Sequence, residues 1–331
     1  MNEHDTARGP SRRDFLVLGT GIFAVAATMG VGNRARRRLV RRSVPVMGTV
    51  AEVVVVARDE RVAHAAISAA IEELYAVERL MTRFNVTSDV GRANLGASSH
   101  AVVVSPATAT VVAEGLRWAA VPGSRFDPCI GRACELWDVS RRSEPPEAAA
   151  VRRLARRGLY RGLELGRTAA GDVLVYHEPD IALDLGGIAK GYAVDRAVEA
   201  LRSWGITNGL VNAGGDLYAM GVSADDDAWR VGIRSPADPD RIAGTIALED
   251  RAVATSGDYE QYFDHGGRRY HHLLDPATAA PRVAAMHSLT VTAESCMTAD
   301  AAATAVFGLH LQAAHDILSM AAPGAQTVQL A

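Results

Sequence analysis

Gly209-Leu210-Val211-Asn212-Ala213-Gly214-Gly215-Asp216-Leu217-Tyr218-Ala219-Met220 holds two short apolar runs joined by a Gly-Gly-Asp turn. A turn of that kind most often links neighbouring antiparallel strands. Further strand-like runs follow at Trp229 to Ile233, Thr245 to Leu248, Val253 to Thr255, Tyr270 to Leu274 and Leu289 to Ala293. Strands that succeed one another without a helix between each pair make a largely antiparallel sheet, not a doubly wound one. The predicted class is α+β, mostly antiparallel sheet with flanking helices.

Upstream of this stretch, Val50 to Val56 is a β-branched run and reads as a strand. His64 to Leu80 has helical spacing, with Ala66, Ile67, Ala70, Ile71, Leu74 and Val77 on one face. Ala101 to Val104 is a short strand, and Ser105-Pro106 opens a helix to about Ala120. Val173 to Tyr176 and Ile181 to Leu183 read as the two strands of a hairpin. Ala189 to Ser203 is a helix closed by Gly205. Downstream, Cys296 to Phe307 and Leu311 to Met320 are helical, and Thr327 to Leu330 adds a strand. The charged stretch Arg141 to Arg157, with Pro145-Pro146, reads as a surface loop leading into a short helix. No repeat of fixed period occurs, and residues 43–331 form one large domain.

Residues 1–42 stand apart. Ser11-Arg12-Arg13-Asp14-Phe15 resembles a twin-arginine export signal. The uncharged run Phe15 to Val31 follows, then Arg34, Arg36, Arg37, Arg38, Arg41 and Arg42. Ala24-Val25-Ala26 offers a cleavage site, and an uncleaved membrane anchor fits the same run. The expected location is outside the cytoplasmic membrane, in the periplasm or attached through the N-terminus. No Cys follows the run, which argues against a lipoprotein.

Composition removes several function classes. A formal charge of -3 gives no electrostatic case for nucleic acid. The three cysteines, Cys129, Cys134 and Cys296, form no CxxC and suit neither a disulfide scaffold nor a structural zinc site.

Four clusters carry chemistry. In Asp184-Leu185-Gly186-Gly187-Ile188-Ala189-Lys190, a strand ends, two glycines turn and a helix starts. An ordinary turn explains the glycines. A lysine in the first helical turn is disfavoured by the helix dipole unless it meets an anion. Asn212-Ala213-Gly214-Gly215-Asp216, alone, is only a hairpin turn. The third cluster is Thr255-Ser256-Gly257-Asp258-Tyr259 with Tyr270-His271-His272-Leu273-Leu274-Asp275-Pro276. Adjacent histidines on a strand face opposite ways, so one at most addresses a given site, as a surface group or a proton carrier. The fourth is Thr298 to Thr304. Asp300 and Thr304, four apart on a helix, put a carboxylate and a hydroxyl on one face. A solvated helix start explains that pair in isolation; a hard cation such as Mg²⁺ also suits it.

The order of the pieces is more specific than any one of them. Val46-Met47-Gly48-Thr49, Met81-Thr82-Arg83-Phe84 with Ser88-Asp89 and Asn94, Phe126-Asp127-Pro128 with Leu136-Trp137, and the four clusters appear in sequence. Together they resemble the ApbE family of FAD:protein FMN transferases, from about Pro45 to about Gly308. The resemblance implies an ApbE-like single domain and an enzyme that binds FAD and Mg²⁺. Such an enzyme moves FMN onto a Ser or Thr hydroxyl of an acceptor redox protein through a phosphoester bond and releases AMP. It implies Asp300, Thr304 and the Gly187 carbonyl as Mg²⁺ ligands. It implies FAD contacts at Met47, Phe84, Phe126, Asp127, Asp184, Lys190 and Leu273, and His272 as the catalytic histidine. The Ser256-Gly257 and Gly214-Gly215-Asp216 turns would line the same pocket. Two departures stand out: Ala279 replaces the glycine that usually ends the Asp-Pro motif, and Glu294 to Met297 is less typical. A flavin-binding protein without transfer, and a Mg²⁺-dependent FAD pyrophosphatase, are the alternatives.

Overall fold

In a computed structural model of the chain, residues 23–26, 38–155, 158–235, 238 and 241–328 are described. Arg12-Arg13, most of the apolar run after them, and Arg34, Arg36 and Arg37 lie outside those residues. The N-terminal half supplies β1 (Phe23–Ala26), β2 (Arg38–Val46), β3 (Thr49–Ala57), α1 (Glu60–Met81), α2 (Asp89–Gly96), β4 (Val102–Val104) and α3 (Pro106–Ala120). Next come α4 (Gly131–Trp137), α5 (Ala148–Leu154), β5 (Leu163–Thr168), β6 (Gly171–Tyr176) and α6 (Ala189–Ser203). The strand-rich part holds β7 (Gly209–Ala213), β8 (Asp216–Met220), β9 (Trp229–Arg234), β10 (Ile242–Leu248) and β11 (Arg251–Gly257). It continues with β12 (Tyr262–His265), β13 (Arg268–His271), β14 (Leu274–Asp275), β15 (Ala280–Pro281) and β16 (Ser288–Ala293). Helices α7 (Cys296–Val306) and α8 (Leu311–Ala321) and strand β17 (Gln326–Val328) follow.

Seven strands make the central sheet, in the order β17-β16-β11-β8-β7-β3-β2, and every neighbouring pair is antiparallel. Strand β3 shows why its sequence reads as an unbroken apolar run. Ala51, Val53 and Val55 enter one core with Ile67 and Leu74 of α1 and Val194 and Leu201 of α6. Val54 and Val56 enter a second core with Leu210, Leu217, Trp229, Val231 and Ile233. The second core lies against a smaller antiparallel sheet, β1-β9-β10. Both faces of the central sheet are covered, so no polar alternation survives. The architecture is α+β, as the sequence predicts.

Helices α6 and α7 pack closely because their contact residues are small. Ala299, Ala301, Ala302, Ala303 and Ala305 of α7 are buried. A Cβ at Gly191 of α6 would stand 2.6 Å from the Cys296 carbonyl carbon and 2.8 Å from Asp300 Cβ. The Asp195 carboxylate of α6 then accepts the Cys296 and Met297 amides at 2.7 and 2.9 Å, which satisfies two free N–H groups at the start of α7.

Several elements differ from the sequence reading. Ile181–Leu183 is not a strand; β6 pairs with β5 instead. Ile181, Ala182 and Leu183 are apolar because they are buried, and their backbone is satisfied irregularly. Asn94 Oδ1 accepts the Leu183 amide at 2.7 Å, and Asn94 Nδ2 donates to the Leu183 carbonyl at 2.9 Å. The predicted strand Tyr270 to Leu274 is broken at His272-Leu273 into β13 and β14. Residues 38–42 form the first part of β2. Helices α2 and α4 have no counterpart in the sequence reading.

Candidate active site

A cleft of about 490 Å³ is bounded by the loop before α6, by one face of α7, by the His272 segment and by residues 81–84 and 125–127. The loop before α6 is built on Asp184. Its Oδ1 accepts the Gly186 amide at 2.9 Å, and its Oδ2 meets Arg83 Nε at 2.8 Å. The Arg83 guanidinium in turn lies 4.3 Å from the centre of the Phe84 ring, which is 77% exposed at the cleft mouth.

The opposite wall joins α6 to α7. A Cβ at Gly187 would stand 2.9 Å from Thr304 Oγ1, so only glycine lets the backbone approach that hydroxyl. The Gly191 amide donates to Asp300 Oδ2 at 3.0 Å. The Lys190 ammonium pairs with Asp216, which is buried behind it. Burial works against the Lys190 charge, but Asp216, Asp300 and Glu260 outweigh it and hold its pKa above the usual lysine value. Burial also raises the Asp300 carboxyl, against the pull of Lys190 and the Gly191 amide. Burial and the Asp300 charge raise Asp216 further. Glu260 is exposed at the cleft, and partial loss of water there pushes its carboxyl up to about 7, with Lys190 opposing and Asp300 adding.

The two histidines separate as alternation requires. His271 is buried, with Nε2 2.9 Å from the Arg282 carbonyl and its ring edge-on to Phe307. His272 lines the cleft. Its amide donates to the Gln261 carbonyl at 3.1 Å, and Nδ1 lies 3.4 Å from the same oxygen. Burial, then the neighbouring His271, lowers its pKa to about 4, so its imidazole is neutral at pH 7. A neutral imidazole on a cleft wall can take a proton from a hydroxyl.

Arg282 ties the walls together. The Leu274, Thr304, Phe307 and Arg125 carbonyls all accept from its guanidinium. Nearby, Ala279 adopts φ +50, the left-handed conformation that glycine favours, and its carbonyl accepts from Trp137 Nε1 at 2.6 Å. The loop therefore keeps a glycine-like backbone without the glycine.

Asp300, Thr304 and the Gly187 backbone form a set of hard oxygen donors of the kind that holds Mg²⁺. Among the described residues no group of three or more His, Cys, Asp or Glu side chains is arranged to hold a metal ion. A carboxylate, a hydroxyl and a backbone carbonyl remain the fitting set.

A family model for ApbE matches residues 47–328. The chain belongs to the ApbE family. The FAD:protein FMN transferase of Vibrio cholerae is 34% identical over 270 residues, covering 80% of each chain. That of Treponema pallidum is 30% identical over 309 residues, covering 88% of this chain and 84% of its own. Among solved structures, the flavin transferase ApbE of Vibrio cholerae aligns with a TM-score of 0.74 at 31% identity, over 86% of this chain and 91% of that one. The Thermotoga maritima ApbE protein aligns with a TM-score of 0.76 at 29% identity, over 88% and 97%. These neighbours share the ApbE α+β domain.

All eleven residues that the ApbE resemblance nominates line the cleft: His272, Met47, Phe84, Phe126, Asp127, Asp184, Lys190, Leu273, Gly187, Asp300 and Thr304. Met47 sits at the tip of the β2–β3 hairpin with φ +52, followed by Gly48 at φ +70, and its amide donates to Glu78 Oε1 at 2.7 Å. Asp127 already has protein partners: Oδ1 accepts the Cys129 amide at 2.9 Å and Oδ2 the Tyr160 amide at 3.3 Å. Burial raises its pKa to about 6.

Other residues of the motifs stand behind the walls. Ser256 reaches the cleft; Gly257 and the Gly214-Gly215-Asp216 turn do not, contrary to expectation. The turn instead carries Asp216 to Lys190. Ser88 caps α2, and Asp89 is held by Ser105 and Thr108. Glu260, Gln261 and Arg282 line the cleft without having been singled out. Extending the Thr255 to Tyr259 cluster by two residues would have reached Glu260 and Gln261. Nothing local in the sequence marks Arg282.

Proposed function

We propose that the protein is an FAD:protein FMN transferase, dependent on Mg²⁺, that acts on a Ser or Thr hydroxyl of an exported redox protein. The observation that carries this reading is the meeting, in one cleft, of a neutral His272 with the Asp300, Thr304 and Gly187 oxygen donors. Membership of the ApbE family, whose curated relatives bear that name, supports it.

In the reaction, an acceptor hydroxyl attacks the flavin-side phosphorus of FAD. The new oxygen–phosphorus bond gives protein-bound FMN, the pyrophosphate bond breaks, and AMP leaves. His272 takes the hydroxyl proton. Met47, Phe84, Phe126 and Leu273 offer apolar surface to the flavin. Mg²⁺, when bound, neutralises charge on the pyrophosphate oxygens. Asp300, Thr304 and the Gly187 carbonyl would hold it. Arg83 fixes the Asp184 carboxylate, and Arg282 fixes the backbone on both sides of the cleft.

The twin-arginine motif supports export, with the N-terminal segment either removed or kept as an anchor. Among the described residues no helix is long and apolar enough to cross a membrane.

The test is incubation with FAD, Mg²⁺ and a candidate acceptor peptide, followed by mass measurement. A peptide heavier by the FMN phosphoester, with AMP released only when peptide is present, is the expected result. AMP released at the same rate without peptide, and no labelled peptide, would replace transfer by hydrolysis. Flavin bound with no AMP would leave a binding protein. Asp300→Ala is expected to abolish Mg²⁺-dependent turnover while part of the FAD binding survives; full activity would remove the metal assignment.

A further inference from the structure

Lys190 lies in a nest of acid. Its ammonium pairs with Asp216, and it shares the cleft with Glu260 and with Asp300, whose Oδ2 accepts the amide of the next residue, Gly191, at 3.0 Å. The first turn of a helix is a poor place for a cation, because the helix dipole repels it. A buried ammonium needs a fixed partner. Asp216 is that partner, and the sheet holds it. It opens β8 directly after Gly214 and Gly215, whose φ values of +60 and +98 make the tight turn. A Cβ at Gly214 would stand 2.7 Å from Thr49 Oγ1, so the turn is also pressed against its neighbour.

Lys190 therefore has an anchor on the protein side and a second carboxylate, Asp300, on α7. We propose that Lys190, held by Asp216, is the chain's own counter-cation for Asp300: it balances that carboxylate before a divalent cation binds and opposes the cation when it does. Asp216 is then a positioning residue, and Lys190 and Asp216 set metal affinity in opposite directions. This rests on the reading of Asp300 and Thr304 as metal ligands. It does not conflict with contact between Lys190 and a flavin nucleotide, but it assigns the lysine a task that exists without one.

The experiment is titration calorimetry of the full chain with Mn²⁺ alone, without flavin, at one fixed pH. Lys190→Met removes the opposing charge and is expected to tighten Mn²⁺ binding about tenfold, within the usual range for coupled sites. Asp216→Asn leaves the lysine uncompensated and is expected to weaken binding by a similar factor. A lysine that serves only the nucleotide would leave both values unmoved, and a merely structural role would weaken both; either result overturns the proposal. Far-UV circular dichroism checks folding; Lys190→Gln, expected to tighten binding, replaces Lys190→Met if that variant fails to fold, and Asp216→Ala, expected to weaken it, replaces Asp216→Asn. Asp300→Ala separates the two readings. Mn²⁺ binding that survives there overturns the metal assignment and this inference with it. Binding lost there, without the opposed shifts, overturns the counter-cation role alone.

Discussion

Arg282 donates to the Thr304 carbonyl at 2.5 Å, which ties the end of β15 to the helix that carries Asp300 and Thr304. The same guanidinium reaches Leu274 at 3.0 Å, Arg125 at 2.6 Å and Phe307 at 3.3 Å. Burial lowers its pKa to about 9, because the enclosed guanidinium loses its water, with Arg125 adding and Asp275 opposing. Arg282→Met is expected to leave four carbonyls short of a donor. At about 1 kcal/mol for each, the loss is about 3–4 kcal/mol of stability. Urea unfolding measures it. A loss below about 1 kcal/mol would mean that water replaces the guanidinium freely.

Gly191→Ala tests the α6–α7 contact. The added methyl would meet the Cys296 carbonyl and Asp300 Cβ, neither of which can rotate away. Overpacking of this kind costs about 1–3 kcal/mol. A lower melting temperature is expected, with turnover reduced more than FAD binding, because Asp300 is displaced directly. Wild-type stability and turnover would show that the helices have slack.

Ala279→Gly is expected to stabilise the protein. A non-glycine residue in the left-handed region costs about 1–2 kcal/mol. Glycine adds about 0.4–1 kcal/mol of unfolded-chain entropy. The net gain is about 0.5–1 kcal/mol, seen as a small rise in melting temperature. Destabilisation would mean that the Ala279 methyl packs better than its φ of +50 suggests.

His272 should impose an acid limit on both rate and stability. Its folded pKa of about 4 lies below the usual 6.5. Above pH 4 the imidazole is neutral in the folded protein and free to accept a proton. The His272-dependent part of kcat/KM for acceptor labelling is therefore expected to be unchanged near neutrality and to fall as pH drops through about 4. Between pH 4 and 6.5 the unfolded chain binds the extra proton at this site and the folded chain does not, so the His272 contribution to stability rises with pH in that window and is lost as pH falls, against the opposite contribution of Asp127. His272→Gln should flatten this slope and abolish labelling while FAD still binds. Labelling at the native rate would end the proton-transfer role.

The sequence reading succeeded where one residue type has one structural consequence. The Gly214-Gly215 turn had to join neighbouring strands, and the apolar face of α1 had to be buried. It failed where burial and strand pairing part company. Ile181 to Leu183 looks like a strand because it is apolar, yet its amides go to Asn94 and the Cys129 carbonyl. The true hairpin partner of β6, Leu163–Thr168, carries Glu164, Gly166 and Arg167 and lacks a β-branched run; its other neighbour, β4, is the Val102–Val104 strand that the sequence does predict. Helix α2 contains Gly91 and Gly96 and owes its start to the Ser88 cap. For the site, the eleven residues nominated from motif order as ligands or catalytic group reached the cleft, while Gly257 and the Gly214-Gly215-Asp216 turn did not. Arg282 lines the cleft without having been nominated, because its role depends on four carbonyls contributed by separate segments.

The Asp195 bridge to the Cys296 and Met297 amides makes helices α6 and α7 a single block. Whatever enters must accommodate itself to that block. Any yielding falls to the other rim, where Phe84 projects into solvent. Selectivity among bulky partners would then be written on that rim, and variation there could retune the choice of partner while the floor of the cleft stays unchanged.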